Sequence, residues 1–557
     1  MSPVSLSEEQ QRAATSPAKR LTIVAPPGCG KTEVLAHRIE FLIQQLSPNQ
    51  RVLALTFTNR SKANLTSRLM QTLGVARMRR YVSVRNFHEH ATGVILAHGR
   101  TIGLDPRSVV LPKTSTLTRA IMDLESDWDT RNAAADILAS TKRSPLSDAE
   151  VLEALSSSPT QIGLDLAIEV ETARQKSDQL HYEDLLRHAQ RIMRFDAVAR
   201  LYQCHFGALV VDEFQDMSLQ QMELAERSCE ASRTYAGDPG QGIFGWTGAA
   251  PVEVLERLVD QCGTPKALKE SYRSSPRVLS MVNQISQLIG QPSLVSAQPD
   301  RWPEGGCSAR ISFPDREAEA DGIARLAREV TSGASGASVG IIVRSSWRAK
   351  EVAAALRSAD LPVRRWDFAI DDPQTLSFIR ETVTRLPKGA TVDDARVASI
   401  ALVSPADVDM SEQLEEAFEV LMQSPSNTIR SVLRELRITD PREPVGPGIH
   451  LLNAHKGKGQ QFDWVVVLGL DEGHVPDFRA VSAAEVEEEL RVLLVMLSRA
   501  RYGVLATRSV NARGNKPPHR LWQPQPSRWW ALLAAEYEEL GDVFEHLSRT
   551  RGGPSAS

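Results

Sequence analysis

Four residues in this chain have the types and company needed to handle a phosphate ester. Lys31 and Thr32 close the stretch Ala25-Pro26-Pro27-Gly28-Cys29-Gly30-Lys31-Thr32. There a lysine would reach the β- and γ-phosphates of a nucleotide and a hydroxyl would ligate Mg²⁺. Asp212 and Glu213 sit side by side further along. Asp212 suits Mg²⁺ coordination, often through water, and Glu213 suits orienting and deprotonating an attacking water. Gln241, in Gly237-Asp238-Pro239-Gly240-Gln241, offers an amide to sense a γ-phosphate. Gln10, upstream of the glycine loop, has the donor and acceptor to read adenine, though taken alone it is more often a surface helix residue, and Ser7 before it has the character of a helix N-cap. Cys29 lies beside Lys31 at an expected helix start, a setting that lowers a thiol pKa and favours reaction with thiol reagents.

These residues need elements to hold them. The apolar run Leu21–Val24 reads as a buried strand, and Leu35, Ile39, Leu42 and Leu46 recur as on one face of a helix. Strand, small-residue loop and helix in that order form a phosphate-binding loop, with loop N–H groups and the positive helix end facing one anion. The first position of Gly-x4-Gly-Lys-Thr is Ala25 here. Ala208–Val211 reads as a second buried strand that delivers Asp212 and Glu213 to its carboxyl end. The run Val52–Phe57 reads as a third, opening into Thr56-Phe57-Thr58-Asn59-Arg60. Hydroxyls, an amide, an arginine and one ring suit a nucleic-acid backbone and base, though an ordinary loop with Phe57 packed inward fits that stretch equally well. Phe244 and Trp246 stand two apart in a glycine-rich loop. In a chain with 5% aromatic residues, such rings are better placed to stack on bases than to fill a core. Arg77, Arg79, Arg80 and Arg85 cluster before Asn86-Phe87-His88, as a solvated face or a phosphate-neutralising one. His88 has no metal-ligand neighbour at useful spacing and reads as a hydrogen-bonding residue.

At 557 residues the chain exceeds one core and suggests three or four domains. The net charge of −4 means that nucleic-acid binding would rest on local basic grooves. The five cysteines form no Cys-x-x-Cys pair, which argues against zinc, an iron–sulfur cluster or a disulfide framework and fits a reducing cytoplasm. No apolar run approaches the roughly 20 residues of a membrane span, and the N-terminus lacks a secretory pattern, so a cytoplasmic protein with no membrane partner is expected.

Set in order, the motifs resemble those of the UvrD/Rep-type superfamily 1 DNA helicases over nearly the whole length. They are Leu6 to Gln10, Ala25 to Thr32, Thr56 to Asn59, Asn86-Phe87-His88, Asp212 to Asp216 and Gly237 to Gln241. Further on come Ser271-Tyr272-Arg273-Ser274, Val343-Arg344, His455 to Gly459, Ser498-Arg499-Ala500 and Pro526-Ser527-Arg528. This family uses Ala where Ala25 stands. The resemblance implies an α/β fold with two RecA-like P-loop domains, each built on a parallel sheet and carrying a mainly helical insertion. It divides the chain into a first domain at 1–87 and 176–275 with an insertion at 88–175. A second domain follows at 276–372 and 445–550 with a short insertion at 373–444, then a disordered tail at 551–557.

ATP and Mg²⁺ are the implied cofactors. Residues Ala25 to Thr32 and Gln10 would bind the nucleotide, Tyr272 would stack on adenine, and Gly459 and Gln461 lie in the segment that touches the ribose. Thr32 and Asp212 would hold the metal. Glu213, Gln241, Arg273 and Arg499 would be catalytic, the arginines by approaching the γ-phosphate. An ion pair of Arg499 with Glu487, Glu488 or Glu489 is the ordinary alternative for that side chain. Phe57, Thr58, Asn59, His88, Phe244, Trp246 and His455 would contact DNA. The implied activity is ATP-dependent movement 3′ to 5′ on single-stranded DNA, or on DNA with single-stranded ends, in repair, recombination or defence. A DNA-activated regulatory ATPase partnered with a nuclease, as in a Gabija-like anti-phage complex, is the first alternative, and a repair protein is another class of partner. An RNA motor and a nucleotide-binding scaffold fit less well. Four positions depart from the family: Glu33 replaces an Arg after Gly-Lys-Thr, Thr247 an Arg after the Trp, Gln461 a Glu, and Leu494 a Tyr.

Overall fold

A computed structural model describes residues 6–107, 121, 127–177, 179–245, 248–333, 336–366, 373–402, 414, 417–418, 421–422, 424, 426, 428–435, 445–513 and 521–550. Trp246, Thr247, the tail 551–557 and much of 373–444 lie outside the described residues. The chain forms two compact units that divide between Leu268 and Lys269, with Pro27–Cys29 grouped with the second.

The first unit is built on a six-stranded sheet. Its strands are β1 (Arg20–Val24), β2 (Arg51–Thr56), β3 (Val82–Asn86), β4 (Phe206–Asp212), β5 (Arg233–Gly237) and β6 (Lys266–Ala267), in the order β3-β2-β4-β5-β1-β6. Every pairing is parallel. A parallel sheet is covered on both faces, which is why Val52 to Leu55 and Leu209 to Val211 are continuous apolar runs, each residue 0% exposed. Strand β5 sits between β4 and β1, so their carboxyl ends open side by side. The helix after the phosphate loop runs Lys31–Ile43, and Leu46 lies beyond its end.

The insertion contributes helices Trp128–Lys142, Asp148–Ser156 and Leu164–Lys176 around a small apolar core of its own. A buried charge network joins it to helix Tyr182–Met193, which packs on the main core. Lys142 Nζ lies 2.6 Å from Glu171 and 3.0 Å from Asp184. Arg174 pairs with Glu171 at 2.6 Å, and Arg187 pairs with Asp184 and Asp148, each at 2.6 Å. Glu171, His181 and Asp184 converge closely enough to suggest metal ligands. The Lys142 ammonium already bridges the two carboxylates.

The second unit holds a larger sheet. Its strands are β9 (Cys307–Asp315), β10 (Ser338–Val343), β11 (Val363–Arg365), β12 (Gly448–Asn453), β13 (Phe462–Val467), β14 (Ala500–Arg513) and β15 (Leu521–Trp522). The order is β11-β12-β10-β13-β14-β15, with β9 also on β14; a separate short pair joins β7 (Glu270–Ser271) to β8 (Val295–Ser296). Only β15 pairs antiparallel among the described strands of this sheet. Strand β14 is long because β13, β9 and β15 each take a stretch of its edges. Apolar residues of helices Arg316–Gly333 and Ser346–Ser358 pack with the sheet in one core.

Candidate nucleotide and nucleic-acid site

The phosphate loop leaves the carboxyl end of β1. Gly28 (φ 84) and Gly30 (φ 75) adopt left-handed backbone, which a side chain would strain. The helix then starts at Lys31 with no side-chain cap, so no side chain from the cap residue competes for its first-turn N–H groups. Gln10 is buried and closes a capping box with Ser7, accepting from the Ser7 N–H at 3.0 Å. Its Nε2 lies 2.6 Å from where a Cβ on Gly30 would stand, which puts the amide against the loop.

Strand β4 brings the two carboxylates to the same place. Lys31 Nζ is 2.9 Å from Asp212 Oδ1 and 2.5 Å from Glu213 Oε1. Burial by itself would lower the Lys31 ammonium, but Asp212 and Glu213 outweigh it and hold the pKa above the usual lysine value. Burial raises the Asp212 carboxyl, with Lys31 opposing. The carboxylates are thus spaced for one positive charge between them, and the loop offers N–H groups to an anion. This donor set fits a Mg²⁺–triphosphate.

Glu213 has φ 60 and ψ 46, a left-handed conformation that is costly for a non-glycine residue. Hydrogen bonds and an ion pair hold it. Its N–H donates to Asp212 Oδ1 at 3.0 Å, its Oε1 meets Lys31, and Gln215 Nε2 donates to its Oε2 at 2.6 Å. The other end of the Gln215 amide accepts the Asp238 N–H at 2.9 Å. Asp238 accepts from the Gly240 N–H at 3.0 Å and from Gln241 Nε2 at 2.7 Å. Gln215 and Asp238 are both 0% exposed. A hydrogen-bonded path therefore runs from Glu213 through Gln215 and Asp238 to Gln241. Gly237 is required beside it, because a Cβ there would meet Gln215 and Phe214. Sequence reasoning quoted Gln215 only as part of a motif; its fixed offset of two from Glu213 is the signal that it could reach back to that carboxylate.

Of the expected nucleic-acid residues, Phe57, Thr58, Asn59 and His88 lie just beyond the ends of β2 and β3. Thr58 caps helix Asn59–Leu73 by accepting from the Ser61 N–H at 3.0 Å. Asn59 Oδ1 accepts from Asn86 Nδ2 at 3.0 Å, and Asn86 caps helix Phe87–His98 in a box with Glu89. Phe57 is half-buried and lies 5.0 Å from the Phe87 ring, so part of its surface belongs to the core. The His88 ring stacks on Tyr182 at 3.8 Å. Burial pushes its pKa down to about 4, so it is neutral near pH 7. Phe244 is half-buried, and Trp246 lies outside the described residues. In the arginine cluster Arg77 faces Glu40 at 3.7 Å and Arg80 lies over Tyr81. Cys29 is 1% exposed, so the accessible thiol expected from its neighbours is not present in this conformation.

In the second unit, Tyr272 is exposed and its hydroxyl donates to Glu270 at 3.2 Å. Arg273 Nη1 donates to the Ser498 carbonyl at 3.4 Å. Arg499 is buried, with Nε on the Val495 carbonyl at 2.9 Å and Nη2 on Ser498 Oγ at 2.8 Å. Its Nη1 reaches the Gln460 carbonyl at 3.5 Å, between Gly459 and Gln461. Arg273, Arg499 and the His455–Gln461 segment therefore meet. Of the acids considered for Arg499, Glu489 is buried and pairs with Arg344 at 2.6 Å, and Glu487 pairs with Arg491. His455 is half-buried in a short helix capped by Asn453. Leu494 is a core residue at 1% exposure, consistent with an apolar side chain where the family has Tyr.

Comparison with known proteins agrees with this geometry. Residues 6–260 match the UvrD/REP helicase N-terminal domain and residues 408–507 the UvrD-like helicase C-terminal domain. The chain is 28% identical to the ATP-dependent DNA helicase UvrD2 of Mycobacterium tuberculosis, over 92% of this chain and 81% of the relative. It is 26% identical to the ATP-dependent DNA helicase PcrA of Leuconostoc citreum, over 57% of this chain and 43% of the relative. With DNA helicase II of Escherichia coli it shares 25% identity over 65% of this chain and 51% of the relative. With both domains matched in order and the glycine loop, paired carboxylates and Gln241 held together on one parallel sheet, the chain belongs to the UvrD/Rep-type superfamily 1 helicases.

Proposed function

We propose that this protein is an ATP-driven motor that moves 3′ to 5′ along single-stranded DNA. The observation that carries the reading is the convergence of Lys31, Asp212 and Glu213, with Glu213 linked through Gln215 and Asp238 to Gln241. In this reading Lys31 and the loop N–H groups bind the phosphates, and Thr32 and Asp212 hold Mg²⁺. The metal, when bound, neutralises charge that builds on the phosphoryl oxygens. The Glu213 carboxylate takes the proton of the attacking water. Gln215 fixes which way that carboxylate points, and Gln241 reports the γ-phosphate to the same path. Arg273 and Arg499 supply positive charge to the transition state, a role worth about 10³–10⁵ in rate in related phosphoryl transfer. Gln10 and Tyr272 recognise adenine, with Gly459 and Gln461 near the ribose. Thr58, Asn59, His88 and His455 hold the strand, and Phe57, Phe244 and Trp246 meet its bases. The names of the relatives support the coupling of ATP to DNA.

The test is ATP turnover measured with single-stranded DNA, blunt duplex, 3′-tailed duplex and RNA, together with streptavidin displacement from end-labelled strands. Single-stranded DNA should stimulate turnover most, and streptavidin should be displaced from the 5′ end. Equal stimulation by RNA, or displacement from the 3′ end alone, overturns the reading. Stimulation without displacement from either end points instead to a DNA-activated regulatory ATPase.

A further inference from the structure

Glu33 follows Thr32 directly, in the first turn of the phosphate-loop helix Lys31–Ile43. Its side chain is 13% exposed and makes two contacts: Oε2 is 2.9 Å from Arg68 Nε, and Oε1 is 3.4 Å from His37 Nε2. Arg68 belongs to helix Asn59–Leu73, whose N-terminus is capped by Thr58 and begins with Asn59. That helix is held down by the buried stripe Leu65, Leu69 and Leu73. An ion pair is directional. Two turns further on, Glu40 faces Arg77 at 3.7 Å, with His37 Nδ1 3.5 Å from Glu40. The phosphate-loop helix thus presents acids along one edge to basic residues of the next two helices. The first of these contacts lies one residue from Thr32. A carboxylate there suits the positive end of its helix, yet adds negative charge where the helix must receive an anion. Arg68 offsets that charge.

We infer that the Glu33–Arg68 pair is a positioning contact through which nucleic acid held at Thr58 and Asn59 adjusts the phosphate loop. The inference rests on the motor reading above. A strand that shifts helix Asn59–Leu73 shifts the Arg68 guanidinium, and Glu33 transmits the shift to the turn bearing Lys31 and Thr32. A partly exposed ion pair with no such role contributes little to stability and nothing to DNA stimulation.

The test is a double-mutant cycle on the full chain with Glu33→Gln and Arg68→Gln, plus the charge swap Glu33→Arg with Arg68→Glu. For each, ATP turnover at saturating nucleotide is read with and without single-stranded DNA, alongside thermal melting. Each single variant should keep its melting temperature and basal turnover and lose about 5-fold or more of its DNA stimulation, the lower end of ordinary coupling energies. The double variant should lose no more than either single, and the swap should recover stimulation. Multiplicative losses in the double variant, full stimulation in the singles, or a swap no better than the singles overturns the inference. A fall in melting temperature that tracks the loss of stimulation makes the pair structural and likewise overturns it. A wild-type chain that DNA does not stimulate fails at the earlier step, and the motor reading falls together with the inference.

Discussion

Glu213 combines a strained backbone with a carboxylate held from both sides by Lys31 and Gln215. Exchanging it for Gln keeps the size of the side chain and removes the base. ATP turnover should drop about 10²–10⁴-fold while nucleotide binding persists, measured by single-turnover hydrolysis and fluorescent-nucleotide titration. Lys31→Ala acts differently: it removes a phosphate contact and leaves Asp212 and Glu213 facing each other, so binding and turnover should both fail. Gln215→Leu leaves the buried Asp238 N–H without its acceptor, at about 1–3 kcal/mol of stability readable by urea unfolding. Phe244→Ala should weaken single-strand affinity by about 1–3 kcal/mol with DNA-free turnover little changed, if the ring is a stacking platform. A collapse of stability with unchanged affinity of the folded fraction would make it a core residue.

Among the elements, the joint between the helical insertion and helix Tyr182–Met193 is the most heavily charged. The Lys142 and Glu171 side chains are 0% exposed. Burial alone would raise Asp184, but Lys142, Arg187 and Arg174 outweigh it and keep the carboxyl far below the ordinary range. Lys142→Met leaves two buried carboxylates short of their shared cation and should destabilise the protein by about 3–5 kcal/mol, read by denaturant unfolding. The stabilisation that Asp184 contributes is complete above the unfolded carboxylate pKa and is lost only as pH falls through its depressed folded value. Since the insertion's apolar core is small, this joint fixes how helices Trp128–Lys142 and Leu164–Lys176 are held against helix Tyr182–Met193.

For the whole molecule, buried neutral histidines set the acid limit. Burial holds His181 down to about 4 and His90, His188 and His474 down to about 3. An unfolded histidine binds its proton near pH 6.5, so below that pH the unfolded chain binds more protons than the folded one. Stability should therefore fall as pH drops, by up to about 1.4 kcal/mol per pH unit for each such group. Asp471 runs the other way: burial and Glu319 raise it to about 6, so it takes a proton in the folded state first and offsets part of the loss. A melting temperature that declines steadily from pH 7 to pH 5 is expected, and a flat profile would contradict the neutral assignment. Some features at this scale were legible beforehand. The strand that leads into the loop before Lys31 and the strand that ends in Asp212 announce themselves as apolar runs, since both faces of a parallel sheet are covered. The length of β14 does not, because it depends on three partner strands distant in the chain.

The sequence by itself determined the local chemistry: a glycine loop before a helix, Asp212 and Glu213 at a strand end, and the order of the motifs. These features span few residues, so spacing and apolar period suffice to read them. Only the tertiary structure decided that β5 lies between β1 and β4, and hence that Gln215 ties Glu213 to Asp238 and Gln241. It also decided that Arg344 takes Glu489 while Arg499 turns inward beside Ser498, and that Glu33 has Arg68 for a partner. The partners Gln215 and Asp238, Glu33 and Arg68, and Arg344 and Glu489 are tens of residues or more apart in the chain. Their choice follows from strand order and from which polar groups burial leaves to be satisfied together, and neither is written in any single stretch of sequence.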